Sequence, residues 1–477
     1  MNTAKHLRRS LSLLIVVAFS VPAFAQERIS AVRTGVKASD AIIFEQGIDS
    51  IRLPRRVAPR RANTFDDDNE DYDYTSFWNY EYYKYAYPSI NSKGETVLLT
   101  ALAAMPYKGT NPINNVVLGC HVTITDNGST PSSYVGGGSK FSDVGMLVGH
   151  ARRSDGKKPA YNCLVILPDY QGYGVTKDQA HPYLAQEITA RQSVDALRYG
   201  LELYEQSKKQ RPDLRPEWKT VCIGYSQGGS VAMASHRFME TNFLAEDLHL
   251  GGSVCGDGPY DPIATMRVYM LEDKVYMPVA VPLIIKGMLD YNPYMRKHRP
   301  EDYFTDKFIG TGIFGWIDGK QISVSDIQKK LKDTYTFLKD SRGEYIRMSD
   351  IFRPAAFAYM QQKMRGEEPE SNPKFEDLYT ALTINDLTQA WQPRHPIYLF
   401  HSKDDEVVPY ANAESALSRL NITSNPSMVK LGTVTGKTHV DNGQTFYISL
   451  NPFKTCYEEQ GMTAIVGGED AWNNFNP

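Results

Sequence analysis

A serine lies between glycines in residues 224–229, which read Gly-Tyr-Ser-Gln-Gly-Gly. An apolar stretch precedes it, and a pattern of small residues typical of a helix follows. A serine at a sharp turn between a strand and a helix can act as a nucleophile, with the positive end of the helix pointing at it. Small neighbours suit the unfavourable backbone conformation of such a serine. The alternative is a turn that only packs a helix onto a sheet, but the order strand, turn, helix favours Ser226 as a nucleophile.

A nucleophilic serine needs a base, and the base needs an acid that orients it. In this setting the acid is expected next along the chain and the histidine last. Asp405 lies in the run Asp-Glu-Val-Val-Pro, and Asp404 is the competing acid. His439 is the only histidine that follows. The sequence therefore predicts that His439 takes the proton of Ser226 and later protonates the leaving group, while Asp405 holds the imidazole.

Acyl transfer also requires hydrogen-bond donors for the oxyanion that forms in the transition state. The backbone N–H that follows the nucleophile, which belongs to Gln227, is one expected donor. The second is expected from the loop after the apolar run at residues 115–121, and hence from Val122 or Thr123.

The elements that must position these residues are indicated by six short apolar runs, which are typical of strands buried on both faces of a parallel sheet. They are residues 115–121, 162–169, 220–224, 250–258, 396–402 and 427–431. A tyrosine-rich run around residues 83–87 and the run at residues 96–106 predict an antiparallel hairpin. Residues 185–209 have the periodicity of an amphipathic helix. Alternating strands and helices indicate an α/β domain.

The chain divides into segments of different character. Residues 1–25 have a basic start, an apolar core and Ala-Phe-Ala at the end, which predicts a cleaved signal peptide. Residues 26–75 are polar and are interpreted as an N-terminal extension. The α/β core is predicted from residues 76–259 and 393–477. Residues 260–392 lack comparable strand-like runs and predict an inserted, largely helical lid.

The composition limits the partners of the protein. A net charge of -3 argues against nucleic acid as the main partner, because no broad basic face is indicated. Five cysteines in 477 residues do not make a disulfide framework. Cys120, Cys163, Cys222 and Cys255 lie in apolar runs and are interpreted as buried apolar side chains. The spacing typical of metal ligands is missing from the sequence, so neither a metal nor another cofactor is predicted.

Several motifs resemble those of the α/β-hydrolase superfamily, and within it the secretory lipase-like serine esterases. They lie at residues 168–174, 181–184, 224–229, 405–409 and 438–443. The resemblance implies a mostly parallel, eight-stranded sheet flanked by helices, with a lid inserted before the acid. It also implies that Asp169, Tyr170, Tyr173 and Tyr225 line the rim of the active site. The sequence departs from the pattern at His121-Val122, where many relatives have His-Gly, and this leaves the second oxyanion donor open.

The function expected from these features is that of an exported serine hydrolase that cleaves carboxylic esters through an acyl-enzyme, as lipases and esterases do. The alternatives are a serine peptidase of the prolyl-oligopeptidase type and an esterase that removes acetyl or feruloyl groups from carbohydrate. A binding protein without activity would not require the order serine, acid, histidine. The expected partners are a small-molecule or lipid ester and a transient contact with a lipid surface. The oligomeric state is left open.

Overall fold

The structure is a computed structural model, and it describes residues 51–52, 80–106, 113–136, 162–206, 212–421 and 428–449. The predicted signal peptide and nearly all of the predicted N-terminal extension lie outside the described residues, as do residues 450–477. None of the helices in the described ranges has both the length and the apolar character that a membrane span requires.

The strands in the described ranges form one large sheet and one small hairpin. They are β1 Ile51–Arg52, β2 Tyr80–Ile90, β3 Thr96–Pro106, β4 Ile113–Cys120, β5 Asn162–Pro168, β6 Leu214–Tyr225, β7 Leu250–Gly256, β8 Leu338–Asp340, β9 Gly343–Tyr345, β10 Ile397–Ser402 and β11 Val429–Val434. The large sheet has the order β1-β2-β3-β5-β4-β6-β7-β10-β11, and β8 pairs with β9. All neighbours from β5 to β11 in this order are parallel, whereas β1, β2 and β3 join the sheet in antiparallel pairs.

The α-helices of the described ranges pack against the large sheet or belong to the long connection between β7 and β10. They are α1 Gln186–Gln206, α2 Gln227–Thr241, α3 Pro262–Glu272, α4 Ala280–Tyr291, α5 Asp306–Ile309, α6 Ile313–Gly319, α7 Val324–Leu331, α8 Met348–Ile351, α9 Pro354–Arg365, α10 Pro373–Ile384, α11 Ala411–Leu420 and α12 His439–Ser449. Eight of these twelve helices, α3 to α10, belong to the connection between β7 and β10.

Each strand predicted from the sequence is present in the large sheet. The hairpin is β2 and β3, paired from Ile90 and Thr96 outwards, and the six apolar runs are β4, β5, β6, β7, β10 and β11. Every side chain of β10 is buried, as expected of a strand covered on both faces. The eight long strands confirm the expected sheet. The two-residue strand β1 adds an edge pair that the sequence pattern did not indicate.

Two apolar clusters stabilise the fold. One joins the sheet to α1, α2 and α11, and it includes Val194, Met239 and Leu399. The other fills the connection between β7 and β10, which we call the inserted segment (residues 260–392), and it includes Phe304 and Leu378. Tyr183 and Leu184, from the loop before α1, join this second cluster, so it also links the inserted segment to the rest of the chain. Cys120, Cys163, Cys222 and Cys255 are buried in or beside the sheet, as their apolar surroundings predicted.

Candidate active site

Ser226 lies at the turn between β6 and α2, in a backbone conformation that few residues adopt. Its φ is 57° and its ψ is -125°, and its N–H donates to the carbonyl of Gly256 at 2.9 Å. A Cβ at Gly228 would lie 2.0 Å from the carbonyl oxygen of Cys120, and one at Gly229 would lie 2.4 Å from that of Gly256. The glycines are thus required because the first turn of α2 packs directly against the ends of β4 and β7.

Three side chains, from the turn before α2, the loop after β10 and the start of α12, form a continuous hydrogen-bonded chain. The Nε2 of His439 is 2.9 Å from Oγ of Ser226, and its Nδ1 is 2.6 Å from Oδ2 of Asp405. The other oxygen of Asp405 accepts from the backbone N–H groups of Val407 and Val408 at 2.8 and 2.7 Å. Asp404 instead accepts from the backbone N–H of Gly436. Of the two candidate acids, Asp405 is therefore the one that contacts the histidine.

The site is shielded from water, and this changes the proton affinity of the histidine. Ser226, Asp405 and His439 are each less than a tenth exposed. Burial alone lowers the pKa of His439, but the negative charge of Asp405 and the hydrogen bond to it outweigh burial and raise this pKa from 6.5 to about 9. The charge of Glu406, and that of Asp257 when this group is ionised, adds to the increase. The arrangement therefore stabilises the protonated form of His439.

The candidate oxyanion donors lie where β4 and α2 meet. Gln227 is the first residue of α2, and the close approach of Gly228 to Cys120 brings the end of β4 against it. The side chain of Gln227 contacts Nε2 of His181 at 2.7 Å. The hydroxyl of Thr123 lies 2.8 Å from that of Tyr183. Val122, which follows the buried His121, is partly exposed, and it is the other residue predicted to provide the second donor.

His181 contacts the side chain of Gln227. It belongs to the motif at residues 181–184, but the sequence did not indicate a role for it. Its Nδ1 lies 2.9 Å from the carbonyl of Gln171, so it donates there, and its Nε2 accepts from the amide of Gln227. Burial lowers the pKa of His181 to about 3, so the ring is neutral at neutral pH and suited to both bonds. The ring thus ties the start of α2 to the loop after β5.

The four residues that the resemblance places at the rim of the active site have buried side chains. Asp169, Tyr170, Tyr173 and Tyr225 are 0%, 2%, 1% and 3% exposed. Asp169 accepts from the hydroxyl of Thr100 at 2.6 Å and from the backbone of Ser132. The tyrosine hydroxyls reach main-chain carbonyls inside the protein. The polar groups of these four side chains therefore hold neighbouring segments in place. The residue types alone do not indicate this role in the sequence.

A cavity that borders Ser226 is mostly apolar. Its walls come from the inserted segment and from the loops that precede α1 and α11. The lining side chains include Leu184, Met277, Ala280, Ile284, Val407 and Val408. A cavity with this lining suits an apolar group of a ligand.

Three buried residues beside the catalytic candidates escaped sequence reasoning. Asp257 follows β7, His401 lies in β10, and Asn442 lies in α12. Asn442 donates to Oδ2 of Asp257 at 2.8 Å, and the carboxylate also contacts the hydroxyl of Tyr225. The signal that could have indicated Asp257 is its place at the carboxyl end of a core strand, next to the strand that carries Ser226.

Two groups of side chains in the described ranges have the composition of metal ligands. One is Asp257, His401 and Asp405, and the other is His236, Glu240 and His395. Glu240 already accepts from the backbone N–H of Arg394 and of His395 and from the indole of Trp391. These bonds hold the chain that enters β10, which accounts for the second group as an internal anchor.

The parallel sheet, the strained serine between β6 and α2, and the inserted helices before β10 define the α/β-hydrolase fold. Comparison with solved structures supports this class. The rice cell wall degrading esterase LipA from Xanthomonas oryzae matches with a TM-score of 0.59 and 22% identity, over 78% of this chain and 88% of that one. Candida antarctica lipase A in its closed state matches with a TM-score of 0.54 and 16% identity, over 83% of this chain and 86% of that one.

The sequence itself is similar to that of a secreted triacylglycerol lipase from Malassezia furfur. The two are 22% identical over 250 residues, which are 52% of this chain and 54% of the lipase. The chain thus spans about half the length of this curated relative. No protein-family model matches the chain.

Proposed function

We propose that the protein is a serine hydrolase that cleaves carboxylic esters, with Ser226 as nucleophile, His439 as general base and acid, and Asp405 as the orienting carboxylate. The observation that carries the proposal is the chain of hydrogen bonds from Ser226 through His439 to Asp405. The strained backbone conformation of Ser226 supports the proposal, because such strain is found mainly at active sites and ligand-binding sites. The similarity to lipases and an esterase supports the same reaction class.

In the proposed reaction, Oγ of Ser226 attacks the ester carbonyl while Nε2 of His439 accepts the hydroxyl proton. The backbone N–H of Gln227, with that of Val122 or Thr123, stabilises the oxyanion. A donor of this kind contributes about 3 kcal/mol in the transition state. His439 then protonates the departing alcohol, which leaves an acyl-enzyme on Ser226. Water activated by the same histidine releases the acid and restores the serine.

The substrate that fits best is an ester with an apolar acyl chain. The cavity beside Ser226 is lined by aliphatic side chains from the inserted segment, among them Ala280 and Ile284. A lipid ester would bring the protein into transient contact with a lipid surface. The similarity to a cell wall degrading esterase makes an acyl ester of carbohydrate the second candidate. Export through the predicted signal peptide is part of the proposal, supported by the similarity to a secreted lipase.

The nucleophile is tested with Ser226→Ala, assayed on a p-nitrophenyl ester and compared with the wild type by circular dichroism. We expect hydrolysis to be abolished while the folded signal is retained. Wild-type hydrolysis by the Ser226→Ala protein would rule out Ser226 as the nucleophile.

The substrate class is tested by a panel of esters from acetyl to palmitoyl, with feruloyl and acetyl esters of carbohydrate, beside a panel of X-Pro anilides. We expect the aliphatic esters to be cleaved fastest. Preference for the carbohydrate esters would favour the second candidate. Cleavage of the anilides alone would identify a peptidase and refute the ester proposal.

A further inference from the structure

Two carboxyl groups are buried close together behind the proposed base. Asp257 and Asp405 are 0% and 4% exposed, and each has an oxygen within 4.8 Å of the other and of a nitrogen of His401. Two carboxylates buried at this separation do not both stay ionised, because each disfavours the charge of the other. The question is which of the two carries a proton.

The hydrogen bonds of Asp405 favour its ionised form. One oxygen accepts from two backbone N–H groups, those of Val407 and Val408, and the other faces Nδ1 of His439 at 2.6 Å. Asp257 accepts fewer and longer hydrogen bonds, from the backbone N–H of Ser402 at 3.2 Å and from the amide of Asn442 at 2.8 Å. Short hydrogen bonds from several N–H groups stabilise a carboxylate, so the negative charge belongs on Asp405 and the proton on Asp257.

The hydroxyl of Tyr225 gives independent support for a proton on Asp257. This hydroxyl contacts Oδ2 of Asp257 on one side and lies 2.6 Å from the main-chain carbonyl of His439 on the other. A tyrosine hydroxyl has one hydrogen and cannot donate to both oxygens. Both close contacts are satisfied if Asp257 donates to the hydroxyl of Tyr225 and Tyr225 donates to His439.

His401 does not supply a charge that would keep Asp257 ionised. Its Nε2 lies 2.8 Å from the carbonyl of Val408, so this nitrogen carries the hydrogen. Its Nδ1 has no hydrogen-bond partner in the described part of the chain and is 3.9 Å from Asp257. Burial also lowers the pKa of His401. The ring is therefore neutral.

The ionisable groups that face Asp257 are Tyr225 from β6, His401 from β10, Asp405 from the following loop and His439 from α12. Burial and the neighbouring Asp405 together raise the pKa of Asp257 to about 7, against the opposing effect that His401 and His439 have when they are charged. This upward shift of the pKa of Asp257 agrees with the hydrogen bonds of Tyr225, which require a proton on Asp257.

We propose that Asp257 is a positioning residue whose carboxyl group is protonated in mildly acidic to neutral solution. It donates a hydrogen bond to the hydroxyl of Tyr225, and this hydroxyl donates to the main-chain carbonyl of His439. The ring of Tyr225 packs against α12 closely enough that a Cβ at Gly443 would lie 2.9 Å from it. Asp257 and Tyr225 together thus set the position from which His439 reaches Ser226. The inference rests on the proposed role of His439 as the base.

The proton is detected by infrared spectroscopy of protein labelled with ¹³C-aspartate, at about pH 6, below the raised pKa of the group. We expect the band of a buried, protonated carboxyl group in the wild type, absent from Asp257→Asn and retained in Asp404→Asn. The band should also be present in Ser226→Ala, so its detection does not depend on hydrolysis. A band as strong in Asp257→Asn as in the wild type, or a wild type without the band, would overturn the inference.

The positioning role is tested by kinetics of Asp257→Asn and Asp257→Leu. The amide can still donate to Tyr225, whereas the leucine cannot, so we expect Asp257→Leu to lose about tenfold in kcat with KM nearly unchanged, and Asp257→Asn to recover most of that loss. Equal loss in the two variants would contradict a role for a donated hydrogen. If neither variant folds, a ¹³C NMR titration of the wild-type carboxyl groups decides the question, since an Asp257 ionised throughout refutes the inference.

Discussion

At the scale of residues, the acid at the proposed site is distinguished by where its oxygens point. Asp404 and Asp405 are adjacent, yet only Asp405 faces His439, since Asp404 is turned to the backbone of Gly436. Sequence reasoning could place a carboxylate in this loop and favoured Asp405, but adjacent side chains diverge, and the turn at Val407 and Val408 selects which one points inward.

We expect Asp405→Asn to reduce kcat by roughly 10³ to 10⁴-fold, because an amide neither stabilises the imidazolium nor enforces the required tautomer. Asp404→Asn is the matched control and should stay within a few-fold of the wild type. Steady-state hydrolysis of a p-nitrophenyl ester measures both. A larger loss in Asp404→Asn than in Asp405→Asn would reverse the assignment.

The pKa of His439 also makes a prediction at this scale. The base must be unprotonated to accept the serine proton, and its pKa is raised from 6.5 to about 9. The value of kcat/KM for an uncharged ester should therefore rise with pH, with a midpoint above 6.5. Asp405→Asn removes the main charge that raises this pKa, so the midpoint of its residual activity should move to lower pH. A wild-type midpoint at or below 6.5 would contradict the proposed environment of the base.

At the scale of elements, the site depends on how closely α2 packs against the ends of β4 and β7. Gly228 approaches the carbonyl of Cys120, and Gly229 approaches that of Gly256. The strand, turn and helix around Ser226 were predicted from a local pattern, because the residues involved are adjacent in the chain. The contact of Gln227 with His181 was not, since the two are 46 residues apart.

We expect Gly228→Ala to destabilise the protein by at least about 1–3 kcal/mol and to abolish activity, because the added methyl group meets main-chain atoms that cannot move independently. Gly315→Ala in α6 is the control, since its Cβ would meet nothing within 4 Å. Urea unfolding and ester hydrolysis report the two effects. Equal stability of the two variants would show that the turn is less tightly packed than described.

At the scale of the whole molecule, the sheet and the inserted segment together enclose the site. Ser226 is 6% exposed, and Ala280 and Ile284 of α4 help to line the cavity beside it. The inserted segment is tied to the sheet domain by polar contacts, among them the bonds from Nζ of Lys320 to the carbonyls of Lys177 and Gln179. The proposed acyl preference therefore depends on residues far from the serine in sequence.

We expect Ala280→Trp to lower kcat/KM for a palmitoyl ester at least tenfold more than for an acetyl ester, because the indole would occupy space that a long chain needs. A substitution on the exposed surface of the inserted segment, Ile384→Ala, is the control and should leave the ratio of the two rates unchanged. If Ala280→Trp affects both esters equally, α4 does not bind the acyl chain.

The sequence by itself determined the order of the strands along the chain, the sharp turn at Ser226 and the segments that carry Asp405 and His439. These follow from local patterns, since an apolar run, a glycine turn or a histidine after the last strand can be recognised from neighbouring residues. It did not determine the roles of Asp169, Tyr170, Tyr173 and Tyr225, whose aromatic and acidic character is compatible with a rim as well as with an internal anchor.

Only the tertiary structure decided which of these groups meet. Asp257, His401 and Asp405 come together because β7 and β10 are neighbours in the sheet, although 144 residues separate the first two in the chain (401 - 257). The contact of Tyr225 with the carbonyl of His439 likewise joins residues 214 positions apart. The physical reason is that the pairing of parallel strands brings their carboxyl ends to one edge, so proton sharing there depends on strand order and burial.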